Sequence, residues 1–248
     1  MSNYFNNFRK TLYLFGDETS PVAFQDLSKY VDIIDKLADE ISAYMTYEIK
    51  DFERPDTLSY RLYGKSEYDW TFFLMNDNIR ERGWPLALQD IYKLATTDLY
   101  KDWTCILDIS TADSAAKFAK IYPVGQEVLL NGKTLKVKSK NLQLGEISLY
   151  SPNYSEDSSF VGLQALSYSD GSNPVALANT VNEYNGTYHY IDDSSNSIDL
   201  YFSTSATKVP VTNLEHLIEE NDELKTIRVI KKVNISNVVG RFKTLSGL

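Results

Sequence analysis

The chain has 248 residues, of which 43% are hydrophobic, so it can bury a sizeable core as one large domain or as a small domain with additions. A formal net charge of −9 opposes the phosphate backbone of nucleic acids, and no nucleic-acid partner is expected. One cysteine and two histidines exclude an internal disulfide and supply too few ligands for a zinc site.

The first predicted elements are a helix, a strand and a second helix. Apolar residues between 27 and 41 recur at three- and four-residue steps, which predicts a helix with one apolar face. Residues 43–49 alternate apolar and polar side chains and include aromatic and β-branched types, which is typical of a strand. Residues 56–63 predict the next helix, because Pro55 suits its first turn and Gly64 can cap its end.

Two more helices are predicted before residue 103. One runs from Ser66 or Glu67 to Met75 and has apolar residues on nearly every side, as buried helices do. The Asn-Asp-Asn sequence at 76–78 then ends it in a turn. The other begins at Pro85 and places five apolar side chains on one face: Leu88, Ile91, Tyr92, Ala95 and Leu99.

The second half of the chain predicts β-structure and a long loop. Residues 123–150 predict an antiparallel meander with a tight turn at Asn131-Gly132. Alternating lysines in it are interpreted as the solvated face of a strand: Lys133, Lys136, Lys138 and Lys140. Residues 151–210 are rich in Ser, Asn, Asp and Gly, which predicts a long loop that is functional or laid against a partner, with one hairpin around 192–197.

These elements together predict an α+β protein. Five segments are expected along the chain: 1–42, an arm and helix; 43–103, a small β-α-α core with the third helix; 104–150, an inserted antiparallel β-meander; 151–211, a loop-rich segment with a hairpin; and 212–248, a C-terminal helix, strand and helix.

No motif in the chain carries catalytic chemistry. Gly64-Lys65-Ser66 matches the end of a phosphate-binding loop, but Ser59 stands where that loop needs a glycine. His189 and His216 are far apart in the sequence and are interpreted as separate surface or packing residues. The carboxylates around 192–199 lack the glycine and glutamate of a calcium loop and favour a plain hairpin turn. No catalytic residue, cofactor or metal is therefore expected.

The termini and apolar runs predict a protein made in a cytoplasm. The N-terminal sequence lacks the apolar centre of a signal peptide. No apolar run approaches the ~20 residues needed to cross a bilayer, and no membrane partner is expected.

Residues 43–78 carry the order of elements of a small known module. A strand is followed by Asp56-Thr57-Leu58 at a helix start, by Tyr63-Gly64 at its end, and by Trp70 in a second helix that ends at Asn76 or Asn78. This order resembles a LysM module, although Pro55 stands where the module has a glycine. The resemblance implies a closing strand, and residues 123–129 can supply it after a long insertion.

Two longer runs, 53–86 and 220–242, carry a closer resemblance. They are similar to the LysM-containing baseplate wedge subunits of T-even-like contractile-tail phages, the gene product fifty-three type. The resemblance implies a non-catalytic structural protein of the virion tail baseplate, assembled in the host cytoplasm, that joins neighbouring wedges by contacts with other wedge subunits. No small-molecule substrate is then expected. The alternative is a LysM-type binding module for the N-acetyl sugars of peptidoglycan or chitin.

Two groups of residues are assigned roles within the LysM-like segment. Helical spacing predicts that six side chains form its core: Leu58, Leu62, Tyr63, Trp70, Phe73 and Leu74. Tyrosine, tryptophan and arginine are the usual anchors of protein interfaces, and they occur together at the edges of the second helix and in the loop after it. Five residues there are predicted to contact partners: Tyr68, Asn78, Arg80, Arg82 and Trp84.

Overall fold

The computed structural model describes residues 10–14, 20–25, 44–151, 160–162, 165–168, 171–172, 175–198 and 207–246. The helix predicted at 27–41 lies outside these residues. The described α-helices are α1 Pro55–Tyr63, α2 Trp70–Met75, α3 Asp77–Arg82, α4 Leu88–Leu94, α5 Ala112–Lys120, α6 Asn213–Lys225 and α7 Ile235–Ser246. The described strands are β1 Lys10–Tyr13, β2 Val22–Gln25, β3 Tyr44–Glu48, β4 Trp103–Leu107, β5 Glu127–Leu130, β6 Lys133–Asn141, β7 Glu146–Tyr150, β8 Leu166–Ser167, β9 Leu177–Asn182, β10 Thr187–Ile191, β11 Ser197–Ile198, β12 Val209–Thr212 and β13 Thr226–Ile230.

The fold mixes helices with antiparallel sheets. Each pairing between the strands given above is antiparallel, which belongs to the α+β class. Contacts divide the chain into a discontinuous unit, 1–87 with 221–248, and an inserted unit, 88–220. The third predicted helix was assigned to the N-terminal core, whereas α4 belongs to the inserted unit.

Strand β3 of the discontinuous unit pairs with β13, near the other end of the chain. The register runs from Tyr44 opposite Ile230 to Glu48 opposite Thr226. Between these paired strands the unit contains α1, α2 and α3, and α7 follows β13. The closing strand predicted at 123–129 is corrected, because the strand found there, β5, begins at Glu127 and pairs with β6 and β8 instead. Both stretches have strand-like patterns, and only the long-range pairing distinguishes them.

Local sequence accounts for both ends of α1. Pro55 occupies the first turn, where a missing N–H needs no partner, and Asp56 places a carboxylate at the positive end of the helix dipole. Gly64 follows with a left-handed φ of 77°, and its N–H donates to the Tyr60 carbonyl at 2.8 Å. The helix thus begins at Pro55 and ends before Gly64, as these two residues predict.

The helix predicted at 66–75 is divided in two. Ser66–Tyr68 forms a 3-10 turn, and α2 begins at Trp70, whose N–H donates to the Asp69 carboxylate at 2.8 Å. The Asn-Asp-Asn sequence ends α2 but does not form the expected turn, because α3 starts directly after Asn76. Asp77 in the first turn of α3 favours this restart through the helix dipole.

One apolar cluster holds the discontinuous unit together, and it combines α1 and α2 with β13 and α7. Trp70 is only 3% exposed, and its ring centroid lies 4.6 Å from that of buried Phe242 on α7. The predicted core residues all belong to this cluster or pack against it: Leu58, Tyr63, Trp70 and Leu74 are buried, and Leu62 and Phe73 are partly buried.

Two buried asparagines of this unit join segments that are distant in the sequence. Asn76 donates through Nδ2 to the carbonyls of Phe72 and Arg228, both at 2.8 Å, and accepts the Arg228 N–H at 2.7 Å. Asn221 accepts the Leu86 N–H at 2.7 Å and donates to the Leu86 carbonyl at 3.1 Å. This second pair, the Asn221 clasp, joins the points where the chain leaves and re-enters the unit.

The inserted unit contains a six-stranded and a three-stranded sheet. Their strand orders are β8-β5-β6-β7-β4-β9 and β11-β10-β12. The meander predicted at 123–150 is present as β5, β6 and β7. The long loop predicted at 151–210 is corrected in part, because this segment supplies β9 beside β4 and the central strand β10 of the second sheet. The hairpin expected around 192–197 is the antiparallel pair β10–β11.

The six-stranded sheet has an apolar face and a polar face. Cys105 on β4 and Ile147 on β7 belong to the buried cluster on the apolar side, which Phe118 of α5 joins. Thr104 and Ser148 alternate with them along the same strands and therefore point to the opposite face. The polar face is the one that carries the cavity described below.

Helix α4 begins at Leu88 rather than at Pro85, and it continues as a π-helical turn, Ala95–Leu99. The five apolar residues predicted on one face do not share one environment. Ile91 and Ala95 are buried, whereas the remaining three are exposed: Leu88, Tyr92 and Leu99. The apolar stripe is therefore wider than the surface that the fold covers.

Candidate functional site

Two of the predicted contact residues, Tyr68 and Trp84, are partly buried against the apolar cluster of the discontinuous unit. The Trp84 indole N–H donates to the Glu53 carbonyl at 2.7 Å. Its ring centroid lies 5.9 Å from that of Phe72 and 5.8 Å from that of Phe73. Tyr68 packs edge-on against another ring of the cluster. Both side chains thus contribute to the fold before any partner binds.

The other three predicted contact residues lie on α3. Arg80 and Arg82 are exposed, and Asn78 is partly exposed. Arg80 pairs with Asp77 at 2.6 Å, and Arg82 pairs with Glu223 at 2.9 Å. Exposed ion pairs contribute little to stability, so a partner can replace these contacts at little cost.

Glu53, which sequence reasoning did not single out, holds the loop before α1. Its carboxylate accepts the Tyr47 hydroxyl at 3.0 Å and pairs with Arg61 of α1 at 2.5 Å. Arg61 also donates to the Tyr47 hydroxyl. Because Trp84 donates to the backbone of the same residue, Glu53 connects the loop, the first helix and the predicted contact region.

The inserted unit contains a polar cavity of about 240 Å³ between its two sheets. Thr104 and Ser148 line it from the polar face of the six-stranded sheet. Other lining residues come from the turn after β9, from β10 and from the start of α6: Glu183, Thr187, Tyr188 and Asn213. Hydroxyl, amide, carboxylate and phenol groups thus face one space.

Lys138 supports one wall of this cavity. It lies at an irregularity in the β6–β7 register between Val137 and Ser139, where a β-bulge re-aims the side chain. Its ammonium donates to Asp102 at 2.9 Å and to Glu183 at 2.8 Å. The interpretation of the lysines as a solvated face is therefore corrected for Lys138. It is also corrected for Lys140, which donates to carbonyls at the end of α5.

Glu146, like Glu183, is an almost fully buried acid that lines the cavity. It is 7% exposed, and burial raises the pKa of its carboxyl to about 7. The Thr187 N–H donates to both carboxylate oxygens at 3.3 Å, which only partly offsets the burial. None of the ion pairs found among the described residues includes Glu146. The cavity therefore holds a carboxyl group that can change its charge near neutral pH.

Replacing Glu146 by glutamine is expected to stabilise the protein at and above neutral pH. The pKa of the Glu146 carboxyl is about 7 in the folded protein and 4.5 ordinarily. As the pH rises from 4.5 to 7, the unfolded chain therefore loses this proton before the folded protein does, and the free energy of unfolding falls. Glutamine removes that loss and keeps an acceptor for the Thr187 N–H. The variant should gain about 3 kcal/mol in the free energy of unfolding at pH 8 and almost nothing at pH 4, measured by urea denaturation.

Asp193→Asn is the matched control, because Asp193 is an exposed carboxylate in the turn between β10 and β11. It should leave the free energy of unfolding unchanged at both pH values. A loss of stability in Glu146→Gln at pH 8, or the same gain in both variants, would contradict the effect of burial on Glu146.

The two histidines lie together, although they were interpreted as separate. The rings of Tyr188 and His216 stack with centroids 3.6 Å apart, and the His189 ring lies 5.8 Å from that of His216. Strand β10 and helix α6 supply the two sides of this contact. Tyr188 joins the histidine pair to the cavity, which it also lines.

Among the described residues, the cysteine and the possible metal ligands form no further reactive centre. Cys105 is buried on the apolar face, and burial raises the pKa of its thiol to about 12, so the nucleophilic thiolate does not form near neutral pH. In the part of the chain that the structure describes, no group of three His, Cys, Asp or Glu side chains can hold a metal ion. No described helix is long and apolar enough to cross a membrane.

No protein-family model and no curated protein matches the chain.

Proposed function

We propose that the protein is a structural component of a contractile-tail phage baseplate wedge, which joins neighbouring wedges through protein–protein contacts. One observation carries the proposal. The two runs that resemble wedge subunits, 53–86 and 220–242, are far apart in the sequence but lie almost entirely in the discontinuous unit, where β3 pairs with β13. That the two runs of this resemblance meet in one compact unit supports the proposal.

The topology of this unit supports its LysM-like character. A strand, a helix that ends at Tyr63-Gly64, a second helix with Trp70 and a closing strand follow in the order that the resemblance implies. Asn76 ends α2 and hydrogen-bonds to the closing strand, so we assign it, rather than Asn78, to the asparagine of the motif. The inserted unit is then an addition between the second helix and the closing strand.

The surface of the discontinuous unit offers groups suited to assembly. The hairpin β1–β2 exposes its side chains at 10–14 and 20–23, and Leu12 is 68% exposed. A two-stranded hairpin is only marginally stable in water, and exposed apolar side chains are typical of binding surfaces. We assign the hairpin and the arginines of α3 to contacts with other wedge subunits.

Mixing the full chain with the wedge subunits of a contractile-tail phage should produce a complex that co-elutes in size-exclusion chromatography. Leu12→Asp should weaken this complex about tenfold or more, because it places a charge in an apolar contact. Leu142→Asp is the matched control, since Leu142 is an exposed leucine in a turn of the inserted unit. A chain that stays monomeric with every wedge subunit would refute the proposal.

A second candidate, saccharide binding by the LysM-like unit, is favoured by one residue. Phe52 in the loop between β3 and α1 is 70% exposed and has a left-handed φ of 62°, a conformation that bulky residues rarely adopt. Exposed aromatic rings can stack on sugars. Binding of chitin oligomers that is lost in Phe52→Ala, without any complex with wedge subunits, would favour this candidate over the baseplate role.

A further inference from the structure

The cavity of the inserted unit has no role in the proposed assembly, yet its walls resemble a binding site. Its volume of about 240 Å³ has room for about eight water molecules at ~30 Å³ each. That is the size of a small polar organic molecule. Its lining is unlike the mostly apolar pockets that take drug-sized ligands.

Hydrogen-bonding groups in the cavity favour a hydroxylated ligand. The lining includes hydroxyl groups that can both donate and accept, such as those of Thr104 and Ser148, and the amide of Asn213. The ring of Tyr188 adds a flat wall, which His216 supports from behind by stacking. A molecule with several hydroxyl groups can replace water at these positions without leaving polar groups unpaired.

The charges around the cavity favour a cation. Lys138 lies between Asp102 and Glu183, so one ammonium faces two carboxylates, and Glu146 adds a further acid. An ionised carboxylate that is almost fully buried is unfavourable unless a positive charge compensates it. A ligand ammonium in the cavity would supply that charge.

We propose that this cavity binds a small hydroxylated ligand that carries a protonated amine, with the ammonium group lying against Glu146. Binding requires no covalent step and does not depend on the baseplate role. The hydroxyl groups of the ligand contact the polar face of the sheet and Asn213, and its carbon chain lies along the Tyr188 ring.

Isothermal titration of the full chain at pH 8 with glucamine and with sorbitol tests this assignment. The two compounds differ only in one amine that replaces one hydroxyl group. Glu146 is ionised at pH 8, so glucamine should bind at least about tenfold more tightly than sorbitol. Equal affinities, or no binding of either compound, would overturn the proposal.

Variants locate the binding in the cavity. Glu146→Gln should lower the affinity for glucamine to that for sorbitol, and its greater stability at pH 8 separates lost binding from unfolding. Asp193→Asn should bind glucamine as the unmodified chain does, which controls for general attraction to an acidic protein. Ser139→Leu, which adds bulk at the lining, should abolish binding of both compounds. Unchanged glucamine binding in Glu146→Gln or in Ser139→Leu would place the ligand elsewhere and refute the site.

Discussion

Replacing Trp70 by alanine is expected to lower the free energy of unfolding by about 3 to 5 kcal/mol. The indole fills the centre of the cluster that joins α1 and α2 to β13 and α7, and it packs directly on Phe242. Alanine would leave a cavity between segments that are far apart in the sequence and that this cluster holds together. Urea denaturation followed by far-UV circular dichroism measures the change.

Tyr60→Ala is the control for this variant, because Tyr60 is an aromatic residue of α1 that is 66% exposed. Its loss should change the free energy of unfolding by no more than about 0.5 kcal/mol. If Trp70→Ala kept its stability but no longer bound wedge subunits, Trp70 would be a contact residue rather than the centre of the core.

Asn76→Ala is expected to be the second most damaging change, at about 3 kcal/mol. Asn76 makes three hydrogen bonds in a buried position, two of them to the backbone of Arg228. Alanine would leave a backbone N–H and a carbonyl of β13 without their partner, and unpaired buried groups cost more than the lost bond itself. Thermal and urea unfolding should both show the loss.

Asn78→Ala provides a control of the same residue type two positions away. Asn78 is partly exposed on α3, and its replacement should change the free energy of unfolding by less than about 0.5 kcal/mol. Equal effects of the two variants would mean that the pairing of Asn76 with β13 does not stabilise the unit.

Elements with local signals could be predicted from the sequence, whereas long-range partners could not. Pro55 and Gly64 mark the two ends of α1 within nine residues, and Asn131-Gly132 marks the turn between β5 and β6. No local sequence signal identifies the strand that pairs with β3. Residues 123–129 and β13 have similar strand-like patterns, and contacts between residues distant in the sequence, such as the Asn76 hydrogen bonds, select β13.

The polar cavity could not be predicted because its residues look like an ordinary solvated face. Ser148 and Glu146 alternate with apolar residues along β7, as the outer residues of an antiparallel strand usually do. The strand β10 that lines the cavity comes from a segment whose composition predicts a loop. Lys138 was missed for a related reason, since a β-bulge redirects its side chain and no sequence pattern signals that shift.

Because β3 pairs with β13, the discontinuous unit can be completed only after the inserted unit has left the ribosome, although its synthesis begins first. At ~5 to 20 residues per second, synthesis of the stretch between Asn76 and its partner Arg228 takes on the order of 10 s. During that time α1 and α2 have neither β13 nor α7 to cover their apolar side chains. The inserted unit is continuous in sequence and can fold first, after which the Asn221 clasp and β13 close the unit whose synthesis began earlier.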